Sequence, residues 1–200
     1  MQLSEGNGHT LLNIARASII AAFRGNSPSI ETSDAELVQP AGCFVSLHSL
    51  HNHALRGCVG RMDAVEPLIR CVRDTAQSVL CDPRFLDRPI LFEELGALAI
   101  DISILSPLRP AAHALDFDLL NDGIYLTCGA RTGVFLPQVA RETGWNREQL
   151  LDRLCSEKLG MPPRSWQSGE AQLQVFSTMI LGPEPFLNAR PSVHTLGDAR

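Results

Sequence analysis

Nowhere in these 200 residues does an apolar run approach the ~20 residues needed to cross a bilayer. The first ten residues lack the basic-then-apolar pattern of a secretory signal, so a cytoplasmic protein with no membrane partner is expected. Cysteines are present at Cys43, Cys58, Cys71, Cys81, Cys128 and Cys155, but no two form a CxxC pair. That spacing argues against a zinc ribbon or an iron–sulfur cluster, and a chain of this length needs no disulfides to fold. Reduced thiols are the expectation. There is no P-loop, no GxGxxG and no GxSxG, so nucleotide-dependent and serine-hydrolase chemistry find no support. No cofactor and no bound metal are expected. Nor is there a surplus of positive charge, since a net charge of -5 gives no overall pull on phosphates. Internal repeats and low-complexity tracts are absent too.

Hydrophobic residues make up 44% and charged residues 20%, which suits one globular domain burying roughly 70% of its unfolded surface. Its most pointed stretch is Leu55-Arg56-Gly57-Cys58-Val59-Gly60. In an extended strand Arg56, Cys58 and Gly60 share one face. A guanidinium beside a thiol favours the thiolate, and flanking glycines leave backbone bare for a ligand. A small buried cysteine on a strand, with glycines marking a bulge, is the structural alternative.

Periodicity places a helix over residues 10–24, a connector, then a hairpin of strands 42–48 and 55–61 with a polar tip between them. Pro67 opens a second helix that ends near Asp82-Pro83, and a short helical piece around Phe92 leads to a strand over 98–105. A second hairpin is expected from strands 124–128 and 134–136 around the turn Gly129 to Gly133. Helices then start at Pro137 and Asn146, and residues 173–181 form one closing strand. Hairpins broken by helices, without a βαβ rhythm, give an α+β fold with a mainly antiparallel sheet. Residues 1–185 read as the domain and 186–200 as a flexible tail.

The hexapeptide resembles the LRGC[IV]G signature of the AMMECR-domain family. The resemblance continues through Gly42-Cys43-Phe44-Val45-Ser46-Leu47, Asp82-Pro83-Arg84-Phe85, Ile102-Ser103-Ile104-Leu105, Asp122-Gly123-Ile124, Leu136-Pro137-Gln138-Val139-Ala140 and Lys158-Leu159-Gly160, in the family's order. It implies two unequal lobes with the hexapeptide facing a cleft between them. It also implies a MEMO-like protein and a radical SAM protein as partners, as in the AmmeMemoRadiSam setting of prokaryotic members, and supplies no settled reaction. The chain departs from the family's pattern at the hairpin tip, Ser49 to His53, and in spacing after Cys155.

The resulting candidates centre on Cys58 as nucleophile or carrier, with Arg56 lowering its pKa or clamping an anion. His48 is the histidine near enough to face the thiol across the hairpin as a base. Gly57 and Gly60 would expose backbone donors. Asp82 and Arg84 would pair, cap the helix or reach the cleft, and Gln138 would cap its helix or help to hold an anionic ligand. His48, His51 and His53 have clamp-like spacing, yet no nearby carboxylate completes a metal set. Three functions follow: a thiol-dependent enzyme or enzyme component acting on a small ligand in the cleft, a noncatalytic adaptor for a protein ligand, and RNA recognition through the arginines between 56 and 88.

Overall fold

Ser4 starts the first element, its hydroxyl accepting from the Asn7 amide at 3.3 Å. Helix α1 (Glu5–Ala22) therefore begins five residues ahead of the expected start, in a stretch whose Gly6 and Gly8 hide the signal. The structure is a computed structural model describing residues 3–187. After a connector come β1 (Cys43–Ser49), β2 (Leu55–Arg61) and α2 (Leu68–Ser78), with short 3-10 turns at 79–81, 83–85 and 92–97 leading into β3 (Leu98–Leu105). The second half holds β4 (Arg109–Pro110), β5 (Gly123–Cys128), β6 (Arg131–Phe135), α3 (Pro137–Thr143), α4 (Arg147–Arg153), β7 (Ala171–Phe176) and β8 (Thr178–Pro185).

Two four-stranded antiparallel sheets result, ordered β2-β1-β3-β8 and β4-β7-β5-β6. Each has its own core. In the first, Cys43, Val45 and Leu47 of β1 and Ile100, Ile102 and Ile104 of β3 pack with Leu11, Leu12 and Ile19 of α1 and Ile69 and Val72 of α2. Each such isoleucine, fully buried, contributes about 1.5–3 kcal/mol of transfer free energy. The smaller core gathers Ile124, Leu126 and Val175 with Leu150, Leu151, Leu154 and Trp166. The α+β class and mainly antiparallel pairing expected from the sequence are what the fold shows, with the antiparallel strands divided between two lobes.

The expected closing strand over 173–181 is a correction: it is two strands in different sheets. Val175 and Phe176 belong to β7 and Met179 and Ile180 to β8, separated at Ser177. The chain crosses between lobes there, beside the other crossing at Ser106. The Ser106 amide donates to the Ser177 carbonyl at 2.9 Å, and the Ser177 amide donates to the Ser106 hydroxyl at 3.0 Å. The second hairpin turns on Gly129, at φ 59°, and Ala130. Gly133 lies within β6, where an added Cβ would sit 2.4 Å from Leu159 Cδ1, so close approach explains that glycine. Phe186 is buried in the first core. The rest of the expected tail, from 188 onward, lies outside the described residues.

Candidate functional site

The hairpin register decides which side chains meet. Ser46 stands opposite Cys58 on one side and opposite Asp101 on the other, so Cys58, Ser46 and Asp101 form one row across β2, β1 and β3. This row lies on the face opposite the α1–α2 core. Phe44, opposite Gly60 and Ser103, lies on the same face one pleat away. Ser46, Asp101 and Ser103 are all buried, while Cys58 is half-buried. Helix α3 approaches this face from the other lobe, and Gln138 Nε2 donates to the Ser103 hydroxyl at 3.2 Å. Gln138 is thus in the first turn of the helix opened by Pro137, as expected, with its side chain reaching across to the first sheet instead of capping. Its Oε1 is buried and has no partner among the described residues. Neither of two open cavities elsewhere, about 490 and 290 Å³, includes Cys58.

Arg56 does not flank the sulfur. The register slips between Leu47 and His48, pairing them with Gly57 and Leu55, so Arg56 is the extra residue of a bulge and strict alternation fails there. Its Nε donates to Glu94 at 2.5 Å, Nη2 donates to the second Glu94 oxygen at 3.0 Å, and the guanidinium lies over the Phe85 ring. The cation acting on Cys58 is Arg84, whose Nη2 donates to the Cys58 carbonyl at 3.0 Å. Arg84 is fixed in turn by Asp82, to which its Nη2 donates at 2.7 Å and its Nε at 3.1 Å. The other arginines of this region that were weighed for RNA are mostly matched by acids: Arg61 to Glu66, Arg73 to Asp74 and Arg88 to Asp87.

At Gly57 and Gly60 the fold leaves no room for a side chain. An added Cβ on Gly60 would come within 2.2 Å of the Phe44 ring, and one on Gly57 within 2.9 Å of the Val79 carbonyl oxygen. An aromatic ring covers the first glycine and the turn after α2 crowds the second. The Cys58 amide itself donates to Asp82 Oδ2 at 2.8 Å. These glycines serve packing.

Burial pushes the Cys58 thiol up; the Ser46 hydroxyl and the Arg84 charge oppose this, and the result lies above the ordinary value. The sequence expectation of a lowered thiol pKa is therefore reversed. Asp82 behaves oppositely: burial would raise it, but the Arg84 guanidinium and the amides of Cys58 and Arg84 hold it at about 2.

His48 is turned to Asp101, its Nε2 lying 3.0 Å from Oδ2. The contact with Asp101 raises the imidazole pKa against partial burial. The hydrogen bond of His48 thus goes to Asp101, and it lies one pleat beyond Ser46, the residue opposite Cys58. His51 and His53 are exposed at the tip. An NMR titration should find His48 above ~6.5 and returning toward that value in Asp101→Asn. With a raised folded pKa, the linked stability is present below ~6.5 and lost as pH rises through the His48 value. An unshifted ring would contradict the ion pair.

Ser46, Asp101 and Ser103 were not among the sequence candidates, whereas Asp82 and Arg84 were, and they pair as the sequence allowed while also reaching the Cys58 backbone. The one signal for the first three was polar Asp101 and Ser103 alternating with isoleucines, a pattern that ordinarily marks a solvent face.

Among known proteins, the AMMECR1 family model matches residues 12–181. Protein MJ0810 of Methanocaldococcus jannaschii is 32% identical over 86% of this chain and 88% of its own length. A protein of Methanothermobacter thermautotrophicus is 35% identical over 89% of this chain and 95% of its own length. The crystal structure of the uncharacterized protein PH0010 from Pyrococcus horikoshii has a TM-score of 0.78 at 29% identity, covering 86% of this chain and 89% of that one.

Proposed function

This chain belongs to the AMMECR1 family, and we propose that it works as a thiol-dependent enzyme or enzyme component with Cys58 as the reacting group. The observation supporting this is the row itself: a half-buried thiol aligned with a buried hydroxyl and a buried carboxylate, beside one lobe's contact with the other. Asp101 is partnered by His48 and Ser103 by Gln138, and a satisfied polar network on an inner sheet face, where apolar packing would otherwise stand, fits a working surface. Arg84 takes the role first considered for Arg56. The resting sulfur is protonated, and the guanidinium stabilises the thiolate as the proton leaves. A small ligand would lie against this face between the lobes. A MEMO-like protein and a radical SAM protein are the proposed partners, on family resemblance, with the cytoplasm as the proposed setting.

The test is alkylation followed across pH and read at Cys58 by peptide mass, in a Cys81→Ser background because Cys81 is also exposed. Arg84→Ala should slow modification at pH 8.5 about threefold, while Arg56→Ala leaves it unchanged. Equal responses would overturn the assignment of Arg84. A thiol inert up to pH 10 would overturn the enzymatic reading and leave a noncatalytic adaptor, tested by whether a MEMO-like protein binds intact protein and Cys58→Ser alike.

A further inference from the structure

Strand β2 is the free edge of the first sheet, and Cys58 faces Ser46 there with its own amide and carbonyl pointing outward. Among the described residues no strand takes these groups. Asp82 Oδ2 accepts from the amide at 2.8 Å, and Arg84 Nη2 donates to the carbonyl at 3.0 Å. The two side chains copy the hydrogen bonding of a neighbouring strand at a single residue. Asp82 is also the fixed partner of the pair: it is 3% exposed, it accepts from the Arg84 amide at 3.0 Å, and it holds the guanidinium by two further bonds. The Arg84 side chain is half exposed.

We propose that Asp82 is the positioning residue of the site, locking the Cys58 backbone at the sheet edge and keeping the Arg84 charge beside the sulfur. The proposal rests on the reading of Cys58 as the working group. Asp82 does not touch the ligand and acts through Arg84 and the Cys58 backbone.

Sign separates this role from simple electrostatics. Asp82's own negative charge disfavours the thiolate, while Arg84 favours it more strongly. Asp82→Asn removes the acid's charge. If Arg84 held its place without Asp82, the thiol would become more acidic. If Asp82 positions Arg84, the guanidinium swings into water and the thiol becomes less acidic.

The experiment measures Cys58 alkylation against pH in wild type, Asp82→Asn, Arg84→Ala and the double variant, all with Cys81→Ser. Positioning predicts that Asp82→Asn slows alkylation at pH 8.5, by less than the roughly threefold of Arg84→Ala because the acid's own charge is lost as well, and that the double variant matches Asp82→Asn. Faster alkylation in Asp82→Asn overturns it. Hydrogen exchange in wild type gives an independent reading should the variant fail to fold. The Cys58 amide should be protected despite its edge position, and free exchange there overturns the proposal. Both readouts concern geometry and acidity alone, so they stand or fall separately from whether Cys58 reacts with any substrate.

Discussion

Alanine at Gly60 should destabilise the protein by about 3 kcal/mol, a large effect for one methyl group. The Cβ would fall within 2.2 Å of two Phe44 ring atoms and 2.6 Å of a third, so it meets the flat of the ring and not a flexible tip. Phe44 stands directly opposite Gly60 in the register, and its ring fills the space a side chain would take. Either the ring leaves its rotamer or the hairpin opens, and both disturb the row holding Ser46 and Cys58 one pleat away. Phe44→Leu combined with Gly60→Ala should recover part of the loss, because the clash is pairwise. Urea unfolding of the four proteins measures this. Additive losses would show that the glycine is needed for some reason other than the ring. Phe176 lies on Gly123, opposite it in the second sheet, within 2.3 Å of an added Cβ, so each sheet carries one such pair.

The hexapeptide's prominence in the sequence thus has two sources, only one of them chemical. Alternation over 42–48 and the polar tip before 55–61 were enough to read the hairpin, since a period of two survives without any knowledge of neighbours. It could not show that Arg56 is the bulged residue, because a bulge is defined by the partner strand. The partnership of Cys58 with Asp82 and Arg84 spans 24 and 26 residues, closed only when α2 folds back onto the sheet. Asp101 and Ser103 looked like the wet face of β3, but β3 is an inner strand, and Gln138 comes across from the other lobe to meet Ser103. The switch at Ser177 was hidden because apolar residues continue on both sides of it, each set serving a different core. Local pattern identified the elements; the site depends on contacts between them.

Acid should weaken the fold through Asp82 in a narrow, low window. Its carboxyl is held at about 2 in the folded protein, against 3.8 for the ordinary group. A depressed folded value means that the contribution is fully present above about pH 4 and is lost as pH falls through 2. The difference corresponds to about 2 kcal/mol at neutral pH. Asp82 is almost fully buried, so solvent screens its contacts little, although the exposed half of Arg84 makes that figure an upper value. Asp82→Ala should cost more, about 3 kcal/mol, because it also leaves the amides of Cys58 and Arg84 without their acceptor. Measured against pH, the stability gap between wild type and Asp82→Asn should be constant from pH 7 to 5 and shrink between 4 and 2. A gap that stays level through that range would show that the carboxylate's charge contributes nothing, and that Asp82 stabilises Cys58 by hydrogen bonding alone.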